Sequence, residues 1–223
     1  MTAMRQTSID LPRLTALGRG DYMVSEANAR AHALVELWPS WPERRLALIG
    51  PEGAGKSHLA TIWSETAGAE VLDAGDLRAE IVLDLATRPL VVEDVDRRLA
   101  GDADERALFH LWNACAAAGN GLLLTGRSAP SDWPVALPDL ASRLASLTPA
   151  VISHPDEALL SAVMVKLFAD RQITVRPALV QYLLPRMERS FAAAHHMVDR
   201  LDGEALAQGR PIDVRLARDL LGG

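Results

Sequence analysis

An eight-residue glycine-rich segment limits what this chain can fold into more than any other feature. Residues 50–57 read Gly-Pro-Glu-Gly-Ala-Gly-Lys-Ser and match the pattern G-x-x-x-x-G-K-[ST] at every fixed position. A short apolar run at 46–49 precedes the segment, and apolar residues resume at helical spacing over 56–65. Because a strand, a tight loop and a helix in this order are the setting of a phosphate-binding loop, the sequence predicts such a loop within an α/β fold.

The residue types of this loop suit contact with a polyphosphate. Glycines let the backbone curl so that successive N–H groups point at phosphate oxygens, and the following helix adds the positive end of its dipole. We expect Lys56 to neutralise the β- and γ-phosphates and the Ser57 hydroxyl to ligate Mg²⁺. His58 is either a further contact or ordinary helix packing. The predicted nucleotide contacts of this segment are Gly50, Pro51, Glu52, Gly53, Ala54, Gly55, Lys56, Ser57 and His58.

Short apolar runs alternate with helical segments through the first two thirds of the chain. After 46–49, the candidate strands are 71–72, 90–92, 122–125 and 151–152. This alternation predicts a parallel sheet covered on both faces, and from Ser153 onward only helical segments follow. We therefore predict an α/β fold: a P-loop NTPase αβα sandwich with a parallel sheet, followed by a small all-α lid. The predicted divisions are an extended tail at 1–12, a nucleotide-binding base at 13–152 and the lid at 153–223.

Two acidic residues stand where the third apolar run ends. The run at 90–92 is followed directly by Glu93 and Asp94. A phosphate loop works with carboxylates on a neighbouring strand, because one acid holds the metal and the next can polarise the attacking water. We assign Glu93 to Mg²⁺ and Asp94 to the water. A solvated acidic turn after a buried strand is the alternative.

Composition excludes several classes of protein. The 23 basic residues are outnumbered by 29 acidic ones, for a net charge of −6, so direct sequence-specific DNA binding is not expected. No stretch approaches the ~20 consecutive apolar residues of a membrane span, and the N-terminus lacks the apolar core of a signal peptide. The single cysteine, Cys115, suits a small buried apolar position. These features predict a cytoplasmic protein without a membrane partner.

Lysine is rare in this chain. All but two of the 23 basic residues are arginine, the exceptions being Lys56 and Lys166. Where lysine occurs against such a bias, we expect a specific need for it.

The order of phosphate loop, acidic strand end and helical segment resembles that of the AAA+ ATPases. Within that group, Asp-Tyr-Met-Val at 21–24 and Asn-Ala-Arg-Ala-His-Ala at 28–33 resemble the segment that opens the ATPase domain of the replication initiator DnaA. Leu-Ala-Ser-Arg-Leu at 140–144 is similar to its arginine-finger box. The closing segments at 210–213 and 217–221 are similar to its last lid helix. The resemblance implies an AAA+ base followed by a helical lid.

The DnaA resemblance implies roles for residues that the loop motif does not explain. Tyr22, Met23 and Val24 would pack against adenine, with an ordinary core position as the alternative. Arg189 resembles the sensor-2 arginine, which contacts the nucleotide of its own chain. A solvated arginine at a helix start is the alternative for that residue.

Two further residues correspond to catalytic positions of that group. Arg143, in the arginine-finger box, would reach the γ-phosphate of a neighbouring subunit, where a planar guanidinium suits the charge of the transition state. A surface salt bridge is the alternative for Arg143. Thr125 ends a predicted strand where AAA+ proteins place a sensor-1 residue. DnaA has an acid two positions later, whereas this chain has Arg127, so we expect slow hydrolysis at its own site.

The remaining segments resemble one branch of the DnaA relatives. DnaA continues into a helix-turn-helix DNA-binding domain, which we do not expect in a sequence that stops after its last lid helix. A tail, an ATPase base and a lid resemble the Hda family (HdaA in alphaproteobacteria), which inactivates DnaA while tethered to the beta subunit of DNA polymerase III, the sliding clamp. Gln-Thr-Ser-Ile-Asp-Leu at 6–11 is similar to the clamp-binding hexapeptide Q-L-S-L-P-L. Gln6 would make polar contacts while Ile9 and Leu11 fill an apolar cleft.

Taken with the motifs, the resemblance implies a regulator of chromosomal replication initiation. It would bind ATP or ADP with Mg²⁺ and promote ATP hydrolysis by DnaA at the sliding clamp. ADP would hold it in its working shape, its own hydrolysis would be weak or partner-dependent, and a homo-oligomer is a further candidate assembly. Two alternatives stay open: a replication adaptor that binds partners without stimulating hydrolysis, and a self-sufficient ATPase similar to a helicase loader.

Overall fold

The structure, a computed structural model, describes residues 22–99 and 101–222, except for the side chains of Asp102 and Ala103. The predicted tail, with Gln6, Ile9 and Leu11, lies outside the described residues. The strands are β1 (Arg45–Ile49), β2 (Glu70–Asp73), β3 (Leu90–Glu93), β4 (Leu122–Gly126) and β5 (Pro149–Val151). The α-helices are α1 (Ala29–Glu36), α2 (Lys56–Ala67), α3 (Val82–Leu85), α4 (Val95–Arg98), α5 (Asp102–Ala118), α6 (Pro138–Ala145), α7 (Glu157–Asp170), α8 (Pro177–Leu183), α9 (Phe191–Gln208) and α10 (Val214–Gly222). In this part of the chain no helix is both long and apolar enough to span a bilayer.

All five strands run parallel in the order β2-β3-β4-β1-β5. Strand β1 lies between two partners, with Ile49 opposite Gly126 of β4 and Val151 of β5. Parallel pairing brings the carboxyl ends of the strands to one edge of the sheet, where the loop after β1 meets the residues after β3 and β4. The predicted α/β fold with a parallel sheet is confirmed.

Helices cover both faces of the sheet, because alternate side chains of each strand point to opposite sides. On one face, Val92 and Leu124 belong to a core shared with α5 and α6. On the other face, Val91 and Leu123 pack in a core with Trp63 of α2. Burial on both sides explains why the strands read as continuous apolar runs rather than alternating ones.

The four helices after β5 form a core of their own. Met164 and Phe168 of α7, Leu183 of α8, and Val198 and Leu201 of α9 are all fully buried in it. The residues of this core all come from the part of the chain after the sheet. We refer to α7–α10 as the lid and to the sheet with α1–α6 as the base.

Two helices differ from the sequence pattern. The pattern predicts a helix opening at His154, but α7 begins after Asp156, because the Asp156 carboxylate accepts a hydrogen bond from the Leu159 N–H (2.7 Å) and caps the helix there. Helix α6 is not among the predicted elements, although its buried residues Leu140 and Leu144 stand at helical spacing. Pro138 occupies its first position, where a missing N–H leaves no hydrogen bond unmade.

Candidate functional site

The loop between β1 and α2 encloses the ammonium group of its own lysine. Lys56 Nζ donates hydrogen bonds to the carbonyl oxygens of Gly50 (2.8 Å) and Pro51 (3.0 Å). The turn requires Gly53 and Gly55, whose φ angles of +68° and +97° lie in the left-handed region. The main chain therefore curls around the first turn of α2, where free N–H groups and the helix dipole favour an anion.

Lys56 is a buried cation. Its exposed fraction is 8%. Burial lowers the pKa of Lys56, while the nearby Asp94 carboxylate acts in the opposite direction. Because burial disfavours the charged ammonium, an anion that enters the loop stabilises that charge. A polyphosphate meets this requirement.

A cavity of about 490 Å³ lies beside the loop. Its walls come from the segment before α1, the phosphate loop, the residues after β3 and β4, and the lid helices α7 and α9. This volume falls in the range of pockets that hold small organic ligands. The base and the lid thus share one binding site.

A hydrogen bond joins the residues at the carboxyl ends of β3 and β4. The Asp94 N–H donates a hydrogen bond to Thr125 Oγ1 (3.0 Å), and Asp94 has a φ of +56°. This turn places Asp94 in the cavity wall, whereas Thr125 is buried beneath it. Asp94 and Thr125, two of the three predicted catalytic residues, therefore lie side by side, with the Thr125 hydroxyl engaged by the backbone.

The oxygen donors beside the loop suit Mg²⁺ in company with a phosphate ligand. Ser57 and Asp94 line the cavity, and Glu93 is half-buried at the end of β3. Over residues 22–99 and 101–222, no group of three or more His, Cys, Asp or Glu side chains is arranged to hold a metal ion. Magnesium sites of this kind use one or two protein oxygens with phosphate oxygens and water. Ser57 would hold the ion in that way. Glu93, the predicted second ligand, ends β3 and does not line the cavity, whereas the neighbouring Asp94 does.

Arg127 is a cavity residue whose place in the site the motif does not predict. It follows β4, and its side chain forms an ion pair with Glu52 of the phosphate loop. Its backbone N–H donates to Asp96 Oδ2 (2.8 Å). The only signal in the sequence is its place two residues after Thr125, at the strand end that meets the loop.

The lid contributes a second group of residues that the sequence analysis did not assign. Val163, Lys166, Leu167 and Asp170 form one stripe of α7 along the cavity, and Lys166 Nζ is 2.8 Å from Asp170 Oδ2. Both lysines of this arginine-rich chain therefore lie in the same cavity. The rarity of lysine singled out both residues in the sequence, but only the fold brings Lys166 into the cavity that Lys56 lines.

Helix α9 meets the phosphate loop directly. The Phe191 N–H donates to the Gly53 carbonyl (2.9 Å), and Ser190 caps the helix by accepting from the Ala193 N–H (3.1 Å). Phe191, Ala192 and His195 line the cavity from this helix. The lid is therefore hydrogen-bonded to the phosphate loop at Gly53, where the loop turns.

Aromatic rings close the end of the cavity next to α1. Tyr22 and Met23 line it, and the Tyr22 ring meets the His58 ring edge-on at 5.1 Å. Tyr22 also stacks on His32 at 5.6 Å, and burial raises the pKa of the Tyr22 hydroxyl. These rings give the cavity an apolar end suited to a planar base.

Five of the predicted nucleotide contacts do not line the cavity. Gly50, Pro51 and Ala54 belong to the phosphate loop itself, whereas Val24 and Arg189 lie outside it. Val24 is 53% exposed, and Arg189 is exposed just before the cap of α9. The positions that face the cavity from α9 are Phe191 and the two that follow along the same face, Ala192 and His195. The assignments of Val24 and Arg189 to the nucleotide stay predictions.

Arg143 lies on α6, away from the cavity. Its guanidinium stacks on the Phe109 ring at 4.6 Å and donates to Asn113 Oδ1. The side chain is half-exposed. Its planar end is thus held in place on the outer surface of the base.

No protein-family model matches the chain. Its structure is similar to domain III of the replication initiation protein DnaA from Thermotoga maritima, with a TM-score of 0.78 and 15% identity over 93% of this chain and 98% of that one. The chain has the AAA+ fold. AMPPCP-bound DnaA from Aquifex aeolicus is similar with a TM-score of 0.68 and 16% identity, over 81% of this chain and 63% of that one.

The AAA+ fold is also that of the Holliday junction branch migration motor RuvB from Thermotoga maritima. That structure has a TM-score of 0.61 and 16% identity, over 77% of this chain and 59% of its own. The chain thus spans nearly all of the isolated DnaA domain but less than two thirds of the Aquifex DnaA and RuvB chains. These likenesses confirm the predicted AAA+ arrangement of a parallel sheet and a helical lid.

Proposed function

We propose that this AAA+ chain binds an adenine nucleotide, ATP or ADP, together with Mg²⁺, between its base and its lid. The observation that carries the proposal is the loop curled around the buried Lys56 ammonium in the wall of a cavity of about 490 Å³. The Aquifex aeolicus DnaA of the same fold is bound to AMPPCP, which supports an adenine nucleotide here. The rings of Tyr22 and His58 offer the base an apolar end of the cavity.

Titration calorimetry with ADP and with ATP, at millimolar magnesium, tests this proposal. The natural chain should bind at least one of them, and Lys56→Ala should lose that binding because it removes the cation that faces the phosphates. The far-ultraviolet circular dichroism of the variant serves as the control for folding. Absence of heat with both nucleotides in the natural chain would refute the proposal.

We also propose that the chain regulates replication initiation by promoting ATP hydrolysis on DnaA, with Arg143 as a finger in trans. Support comes from the placement of Arg143 outside the cavity, held by the Phe109 ring and by Asn113. A guanidinium fixed on an outer surface suits the γ-phosphate of a second molecule better than that of its own chain. Such fingers raise hydrolysis rates by ~10³–10⁵-fold.

ATP hydrolysis by DnaA, measured with clamp-loaded DNA, tests the finger role. The natural chain should stimulate hydrolysis, and Arg143→Ala should not. Arg186→Ala is a matched control, because Arg186 is an exposed arginine stacked on the Tyr182 ring at 4.0 Å in the lid. Equal stimulation by Arg143→Ala and Arg186→Ala would refute the finger role. Absence of stimulation by the natural chain would favour an adaptor, and robust turnover without DnaA would favour an ATPase similar to a helicase loader.

We further propose that the segment 6–11 binds the sliding clamp. The support is its pattern of Gln6 with apolar Ile9 and Leu11, which suits an extended peptide that anchors alternate side chains. Replacement of Gln6 and Leu11 by alanine should abolish capture of the chain on immobilised clamp without changing its nucleotide affinity. Undiminished capture would show that this segment is not the clamp ligand.

A further inference from the structure

The backbone of Arg127 is fixed to the two neighbouring elements of the site. The Gly50 N–H at the start of the phosphate loop donates to the carbonyl of Gly126 (3.2 Å), and the Arg127 N–H donates to Asp96 Oδ2 (2.8 Å). Gly126 packs so closely on Trp133 that a Cβ there would lie 2.6 Å from the ring. The base of the Arg127 side chain therefore has a set position relative to the loop.

The end of that side chain is held much less firmly. Its guanidinium pairs with Glu52, and the two side chains are 35% and 72% exposed. Ion pairs open to solvent contribute little to stability, because water and salt screen them. The pair can therefore be exchanged for a stronger partner at small cost.

The pair lies in the wall of the cavity that Lys56 also lines. Lys56 marks the place of the β- and γ-phosphates in a loop of this type. Arg127, Glu52 and Asp94 all line the same cavity as Lys56, and their charges act on it: Arg127 lowers the pKa of Lys56, whereas Asp94 and Glu52 raise it. Glu52 belongs to the loop itself, two residues after Gly50.

We infer that Arg127 distinguishes a nucleoside triphosphate from a diphosphate by leaving Glu52 and binding the third phosphate. This inference rests on the proposed binding of a nucleotide in the cavity. A guanidinium binds phosphate oxygens through two parallel N–H groups, and such charge-assisted bonds are about twice as strong as neutral ones. A diphosphate lacks the third phosphate, so on this proposal it leaves the pair with Glu52 intact. The pair is thus a sensor for the length of the phosphate chain.

Separate titrations with ADP and with AMPPCP, which cannot be hydrolysed between its last two phosphates, test the inference. Arg127→Ala should lower the affinity for AMPPCP by about tenfold, the effect of one lost bond between charged groups, and change the affinity for ADP by less than about twofold. Arg88→Ala is a matched control, because it removes the same charge from another exposed ion pair, with Glu70, at the opposite edge of the sheet. The control should change neither affinity.

Glu52→Gln tests whether Arg127 leaves Glu52 to bind the third phosphate or stays paired with it. If Arg127 leaves Glu52, the substitution removes a competitor for the guanidinium, so the affinity for AMPPCP should rise more than that for ADP. A fall in AMPPCP affinity would mean that Glu52 positions Arg127, and the exchange would be refuted.

The remaining outcomes are distinct. An equal loss of both affinities in Arg127→Ala would make Arg127 a general contributor to phosphate binding and overturn its role as a sensor. No change in either affinity would reduce the pair to a surface salt bridge. Absence of binding of both ligands to the natural chain would refute the proposed nucleotide site, and the inference with it.

Discussion

At the scale of single residues, two glycines with the same backbone conformation have different neighbours. Gly53 in the phosphate loop and Gly68 after α2 have φ angles of +68° and +64°. A Cβ at Gly53 would lie 2.9 Å from the Cβ of Ser190 in the lid, whereas a Cβ at Gly68 would have no atom within 4 Å. A side chain at either position is strained by the backbone, but only Gly53 also allows the close approach of α9.

Alanine at the two positions should therefore have different effects. Gly68→Ala should lower the free energy of unfolding by about 1 kcal/mol through the left-handed conformation alone and leave nucleotide affinity unchanged. Gly53→Ala should cost more stability and also weaken nucleotide binding, because the lid must move away from the loop. Urea denaturation and titration calorimetry measure both quantities. Equal losses of stability in the two variants would show that α9 does not depend on the small residue at 53.

The thiol of Cys115 should be unreactive in the native protein. Cys115 is fully buried, and burial raises its pKa from 9.0 to about 11 despite the nearby Arg45. A thiol reagent at neutral pH should label it only after denaturation, because the thiolate is the reactive form. Since the thiol ionises at lower pH in the unfolded chain, stability should also fall as the pH rises above about 9. Rapid labelling of the native protein would contradict this expectation.

At the scale of elements, the first turn of α9 connects the lid to the phosphate loop. Ser190 caps the helix, and the next residue, Phe191, donates its N–H to Gly53. The first turn of α7 has a comparable cap, in which Asp156 accepts from the Leu159 N–H, but Asp156 does not line the cavity. The two caps therefore have the same chemistry and different consequences for the site.

Removal of each cap should distinguish an effect on the free energy of unfolding from an effect on nucleotide binding. Ser190→Ala and Asp156→Ala should each lower the free energy of unfolding by about 1 kcal/mol, the usual value of an N-cap. Only Ser190→Ala should also weaken nucleotide binding, because it loosens the helix end that lies on the loop. Loss of affinity in Asp156→Ala to the same extent would show that lid stability as a whole, rather than the α9 contact, governs binding.

At the scale of the whole molecule, the cavity joins two units with separate cores. The base packs around the sheet and the lid packs around α7 and α9, yet both line the same cavity. A ligand in that cavity contacts both units at once. Nucleotide should therefore couple the unfolding of the lid to that of the base.

Denaturation with and without nucleotide tests this coupling. At a free nucleotide concentration 100 times its Kd, the free energy of unfolding should rise by about 2.7 kcal/mol. Hydrogen exchange should slow in the phosphate loop and in the first turn of α9 together. Lys56→Ala should show neither effect, and protection confined to the base would show that the lid does not take part in binding.

Much of the base could be predicted from sequence because its signals are local. The loop pattern with its flanking strand and helix defines the P-loop, and the buried parallel strands appear in the sequence as continuous apolar runs. The helix caps were less predictable. Helix α7 starts at Asp156, whose carboxylate accepts a hydrogen bond from the N–H three residues later. By sequence pattern alone, His154 is an equally plausible start.

The sequence by itself determined the phosphate loop, the class of fold and the two acids at the end of β3, because each depends on residues close together in the chain. Only the tertiary structure decided that Arg127 pairs with Glu52, that Lys166 shares a cavity with Lys56, and that Phe191 rather than Arg189 faces that cavity. These contacts join segments separated by about 75 residues or more in the chain. No local spacing encodes them, because they depend on how the strand order and the packing of the lid bring distant segments to one edge of the sheet.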